Sequence, residues 1–317
     1  MKRLFLALSA GLASCTYHSM ESIKSTPAHK DSASIPADSS WTSTFDTHSL
    51  LVNHAFDSGR IVGAISDPSL DEVSGIAASY NTPGSLWVEE DSGNPNTISL
   101  LTSDGKLLGA VSLDRVTNRD WEDMSIAPGP TDGVHYIYLA DIGDNDKKYD
   151  IKYIYRFPEP PATIGGSISI FDVMSFSFPD GIKNCEAMMI DPLTKDIYVI
   201  SKESGKAVVY LASYPQPLNK NFVLTKIGSL PISKVTAADI SPDGTEILIK
   251  NYVQVFYWKR NLNQTISFTL KQNPLLLPYQ IEEQGESICF AKDASGFYTT
   301  SEMTSNAPPP IYFYKRN

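Results

Sequence analysis

Cysteine, histidine and positive charge are all scarce in this chain of 317 residues, and each scarcity removes a class of protein. Three cysteines cannot staple a disulfide scaffold of this length. Of five histidines, His18, His29, His48 and His54 fall in the N-terminal segment, which leaves little for a histidine-rich metal site. Lys and Arg number 26 against 36 Asp and Glu, a net charge of −10, so no basic surface is expected to neutralise nucleic-acid phosphates. No P-loop or dinucleotide fingerprint is present. What the chain does have is 42% hydrophobic residues, enough for a sizeable core. Its 16 Tyr, 13 Phe, 19 Gly and 21 Pro favour short strands and many turns over long helices.

The N-terminus reads as an address. Lys2 and Arg3 precede the apolar run Leu4 to Leu12, which is too short to span a bilayer. Leu12-Ala13-Ser14-Cys15 resembles the bacterial lipoprotein box, so residues 1–14 are expected to be a signal peptide and Cys15 the lipidated residue. The alternative is an ordinary secretory signal with an incidental cysteine. Lipid on Cys15 would place a monomeric domain in the bacterial cell envelope, tethered to the membrane without spanning it. Residues 15–58 are rich in Ser, Thr, Ala and Asp without periodicity, and the expectation is a flexible tether, with residues 59–317 as the folded domain.

That domain repeats itself. One motif, a polar residue with hydrophobic positions two and four later, starts at Ser74, Glu122, Glu186, Thr236 and Glu286, in steps of 48, 64, 50 and 50. An aromatic or β-branched strand follows each copy, as in Leu86-Trp87-Val88 and Ile197-Tyr198-Val199. Third strands (Lys152 to Phe157, Val208 to Ala212) and fourth strands (Leu108 to Leu113, Ser167 to Phe178, Phe222 to Leu230, Thr265 to Leu270) complete the units. Four antiparallel strands per fifty residues is the pattern of an all-β propeller blade. The last unit ends after three strands, and Arg60 to Ser66 is available to close the ring from the other end. The expectation is a five-bladed β-propeller. A sixth blade hidden in the longest step is the alternative, but residues 151–182 supply only two clear strands, which favours an insertion.

The first strand of each blade lines the channel, so Ser74, Glu122, Glu186, Thr236 and Glu286 should converge on the axis. All five carry oxygen, three are carboxylates, and no cation occupies an equivalent position. Two carboxylates about 6 Å apart repel by roughly 3 kcal/mol at an effective dielectric near 20. Protonation, water or a bound cation can relieve that repulsion. The all-oxygen donor set suits calcium better than magnesium, and zinc least. Cys185 and Cys289 sit beside ring positions of blades that are not neighbours, and read as buried thiols.

Ser, Glu, Glu, Thr and Glu on five successive inner strands resembles the soluble calcium-activated nucleotidase (apyrase) family, over about residues 60–317. The resemblance implies a five-bladed propeller with an axial calcium. Its ligand set of Ser, Glu, Glu, Ser and Glu carries over to Ser74, Glu122, Glu186, Thr236 and Glu286, and Thr236 keeps the hydroxyl of the serine it replaces. The chain departs from the family after the second strand of blade one. There Glu90-Asp91 is followed by Ser92 instead of Arg, and the family's nucleotide-contacting residues find no counterpart. The Trp121-Glu122-Asp123 and Asp141-Ile142-Gly143-Asp144-Asn145 motifs also look like those of uncharacterised bacterial secreted propellers.

The loops Glu89-Glu90-Asp91 and Asp141 to Asp146 should share the face where the ring opens, and could hold a second divalent ion; turn-stabilising Asp and Asn is the default. For phosphoester or phosphoanhydride cleavage, Glu122 or Asp123 would accept a proton and Lys202 or Lys250 would hold a phosphate. His135 starts a second strand, on the opposite face, so no histidine triad is expected. Three readings follow: a calcium-dependent hydrolase of a phosphorylated small molecule, a calcium-braced binder of an envelope partner, and a lactonase- or esterase-like propeller. The ring lacks the Asn or His that would favour the last.

Overall fold

Each unit of the repeat folds as one sheet. The computed structural model describes residues 40–161, 165–304 and 307–317. The expected signal peptide and Cys15 lie outside the described residues.

Blade 1 consists of Val73–Ala78, Ser85–Glu90, Thr97–Thr102 and Leu107–Leu113. Blade 2 consists of Trp121–Pro128, His135–Asp141, Lys152–Pro158 and Asp172–Ser177. Blade 3 is built from Cys185–Ile190, Ile197–Ser201, Ala207–Ala212 and Thr225–Leu230. Blade 4 has Val235–Ile240, Glu246–Asn251, Val255–Lys259 and Leu275–Leu277. Blade 5 takes Ser287–Phe290, Gly296–Thr300 and Pro310–Lys315 from the C-terminus and Arg60–Ala64 from the other end. Arg60–Ala64 pairs antiparallel with Pro310–Lys315, so the ring is closed as the repeat implied. First strands of successive blades face one another all the way round, blade 5 against blade 1 included. Five hydrophobic clusters fill the five spaces between blades. Burial of both sheet faces explains why a middle strand such as Ala207–Ala212 is a continuous apolar run instead of alternating.

Among the described residues, the long step between blades 2 and 3 holds an edge cover and no sixth blade. Ser167–Ile168 crosses back to pair parallel with the outer strand of blade 1, and Phe222–Val223 does the same for blade 2. The expected fourth strand of blade 4 is different again. Thr265 caps a short helix, Ile266–Leu270, by accepting from the Phe268 N–H, and the outer strand is Leu275–Leu277. Ile266 and Leu270, four residues apart, bury on one side of that helix, a helical spacing that the β-rich surroundings concealed.

The tether expectation gives way from Ser40 onward. Trp41–Thr42 pairs parallel with blade 3, Val52 bridges Leu276 of blade 4, and Phe56 bridges Arg316 of blade 5. Residues 40–58 are therefore a strap that runs around three blades before entering the last. Its anchors are apolar. Trp41 lies over Gly228, where a Cβ would come within 2.1 Å of the indole. Phe45 packs on Trp258, with ring centroids 6.4 Å apart, and Phe56 is fully buried against Phe297 at 5.1 Å.

Candidate functional site

A backbone device delivers the ring residues to the axis. In blades 1 to 4 the pairing between first and second strands slips where the ring residue stands: between Val73 and Ile76, Trp121 and Asp123, Cys185 and Ala187, and Val235 and Ala237. Ser74, Glu122, Glu186 and Thr236 are thus bulge residues, and Glu286 immediately precedes the first paired residue of blade 5. A bulge leaves one residue outside the ladder and re-aims its side chain.

Carboxylate oxygens of Glu122, Glu186 and Glu286 lie within 4.8 Å of one another, and all three residues are buried. At that spacing each pair of ionised groups repels by about 3 kcal/mol at an effective dielectric near 20. The hydroxyls complete the wall. Ser74 Oγ donates to the Glu122 carbonyl at 2.9 Å and lies 3.5 Å from Glu286 Oε2. Thr236 Oγ1 donates to the Gly285 carbonyl at 3.4 Å. Both hydroxyl protons therefore point at backbone oxygens, which leaves lone pairs for a cation.

A second acidic group shares Glu122: its carboxylate, Asp91 and Asp120 also bring oxygens within 4.8 Å of one another. Gly143 clears the space, since a Cβ there would stand 2.1 Å from Glu122 Oε1 and 2.6 Å from Asp120 Oδ2. The rest of the Asp141–Asn145 motif is structural. Asp141 pairs with Arg119 at 3.1 Å, and Asp144 accepts from the Lys148 and Tyr149 N–H groups and pairs with Lys152 at 3.0 Å. Of the two acidic loops, only Asp91 joins this group, and Asp120 stands where the loop Asp141 to Asp146 was expected to contribute.

The ring is not free of countercharge, contrary to the sequence expectation. Lys202, at the end of the second strand of blade 3, ion-pairs with Glu186 and lies 3.5 Å from Glu286 Oε1. Tyr252 donates to the same Glu286 oxygen, and the Lys202 ammonium stands 5.2 Å from the Tyr252 ring centroid. The cation comes from a second strand, so the comparison of first-strand positions could not find it. One ammonium cannot balance three carboxylates when all of them are ionised.

Burial drives the protonation preferences here. It raises Glu122 well above the usual carboxylate range, and Glu186, Asp91, Asp120 and Glu286 add to the effect. Burial raises Glu186 to about 8 against the pull of Lys202, with Glu286 also raising it. Asp91 is raised to about 6, by burial first and then by Asp120 and Glu286. Burial works against the Lys202 ammonium, but Glu186 and Glu286 outweigh it and hold it above the usual lysine range.

Two expected participants are committed elsewhere. Asp123 is buried with one oxygen accepting from Met124 N–H and the other from Met188 N–H, both at 2.8 Å, so it clamps blade 2 to blade 3. Asp239 makes the same clamp from blade 4 to blade 5 through Ile240 and Phe290. Lys250 is fully buried and donates to the Gly285 carbonyl, with its ammonium 5.1 Å from the Tyr279 ring centroid. Its ammonium is thus committed to that carbonyl and that ring, away from solvent. Cys185 and Cys289 are free and buried. His135 stacks on Tyr80, with centroids 3.7 Å apart, on the face opposite the ring.

No protein-family model and no curated protein matches this chain.

Proposed function

We propose that this protein is a lipid-anchored propeller of the bacterial cell envelope that binds a divalent cation at its axial ring, and that it uses the cation to hydrolyse a phosphorylated small molecule. One observation carries the reading: three buried carboxyl groups from three blades converge within 4.8 Å, and once ionised they carry more negative charge than Lys202 offsets. Glu122, Glu186 and Glu286, with Ser74 and Thr236, would hold the ion. Oxygen donors without nitrogen or sulfur favour calcium. When bound, calcium would polarise a phosphoryl oxygen and orient water beside it.

The chain's own residues supply the rest. Asp91 stands beside Glu122 and is partly open to solvent, and its pKa of about 6 suits proton transfer near neutral pH. Asp91 takes this role in place of Asp123, whose oxygens are spent on two backbone N–H groups.

The test is thermal unfolding of the purified protein with calcium, magnesium or chelator, with metal analysis of the same sample. Saturation at about 100 times Kd stabilises by roughly 2.7 kcal/mol. Calcium should raise the melting temperature of the wild type and leave Glu186→Gln unmoved. A calcium-loaded protein that turns over a panel of phosphoesters and phosphoanhydrides, and stops on Asp91→Asn, supports the hydrolase. A blank panel with an intact calcium shift favours a calcium-braced binder. No shift and no bound metal would sink both.

A further inference from the structure

The axial ring already holds one cation, its own. Lys202 Nζ pairs with Glu186 and approaches Glu286 to 3.5 Å, so the ammonium sits against two of the three carboxylates that a metal would need. A divalent ion and an ammonium cannot both occupy those oxygens, because each would repel the other at contact distance. Lys202 also has somewhere to go. Its side chain is 18% exposed and lines a cleft of about 400 Å³ beside the ring. Lys147, Lys183 and Asn184 line the same cleft. Lys147 is exposed, and Lys183 is held by Glu203 at 3.2 Å. Asn184 links the two places, since its amide donates to Glu186 Oε1 at 3.1 Å.

We propose that Lys202 is a movable counter-ion: it closes the ring when no metal is bound, and a divalent cation drives it into the cleft, where with Lys147 and Lys183 it completes a site for a doubly charged oxyanion such as a phosphate group. This rests on the reading of the ring as a cation site and goes beyond it by naming where the anionic end of the substrate sits. Three lysines against Glu203 and Asp180, the latter 3.9 Å from Lys183, leave the cleft one charge positive on an acidic protein, but only after Lys202 has left the ring. Metal and anion then bind with positive coupling, and the coupling is reciprocal.

Calorimetric titration tests both halves, first with calcium and then with sulfate as the probe anion. Lys202→Met should bind calcium at least tenfold more tightly than wild type, because no resident cation has to be displaced. Lys202→Gln, which keeps a polar group at the partly exposed position, serves the same purpose if the methionine variant folds poorly. Sulfate should bind the calcium-loaded wild type at least tenfold more tightly than the metal-free protein. Lys147→Asn, whose side chain tolerates the left-handed backbone at that position (φ 53°), should lose several-fold in sulfate affinity and keep its calcium affinity. Wild type that binds calcium no more weakly than Lys202→Met overturns the displacement and leaves the ring as a metal site. Sulfate binding indifferent to calcium overturns the coupling. Calcium binding to none of these proteins overturns this inference and the metal reading together.

Discussion

At the residue scale, neighbouring positions on one inner strand do opposite work. Glu122 turns into the channel on a bulge, while Asp123, next in the chain, feeds two backbone N–H groups between blades. Removing the Asp123 carboxylate leaves two buried donors without acceptors, at about 1–3 kcal/mol each. Asp123→Ala should therefore lower the stability of the metal-free protein by about 3 kcal/mol, measured by denaturant unfolding, and leave calcium affinity as it was. A variant that loses calcium binding while keeping its stability would return Asp123 to the site. The five ring positions were legible because each unit repeats the same strand and the eye can align the starts. Lys202 was legible as a phosphate holder but not as the ring's counter-ion, and Asp120 and Tyr252 were not legible at all, since these residues stand on or beside second strands or in loops with no repeat to mark them.

At the element scale, the strap shows how a weak pattern becomes structure. Residues 40–58 carry too few apolar residues for periodicity, but Trp41, Phe45 and Phe56 each find a site on a different blade. Trp41 needs Gly228 beneath it. Trp41→Ala should cost about 3 kcal/mol, as for other large-to-small changes at buried aromatics. Gly228→Val should cost a similar amount by expelling the indole, and the double variant should cost much less than the two together. Additive losses in thermal or denaturant unfolding would show that Trp41 and Gly228 act independently. Paired parallel with an outer strand, the strap also covers a sheet edge that would otherwise be open to other chains.

At the scale of the whole molecule, closing the ring concentrates carboxylates in one place. Burial raises Glu186 to about 8, Glu90 to about 7 and Asp91 to about 6, each above its value in an unfolded chain. The native protein therefore holds protons that the unfolded chain has released. Their contribution to stability is complete at low pH and is lost as pH rises through the native values. Lys202 stays charged across this window and adds no slope. In chelator, the melting temperature should fall between about pH 5 and pH 8. Calcium should oppose that fall, because metal binding needs the carboxylates ionised. A melting temperature that is flat or rising with pH in chelator would contradict the burial argument.

The sequence by itself determined the repeat, the closure by an N-terminal strand and the residue each repeated unit sends to the axis, while five blades against six was left to the structure. These follow from backbone pairing, whose period is local and recurs in every unit. Tertiary structure alone decided that residues 40–58 are a strap, that Asp123 and Lys250 belong to the wall, and that Lys202 reaches the ring. The partner of a long or buried side chain depends on distances of a few ångströms across blades far apart in the chain. No periodicity encodes those distances until the ring has closed.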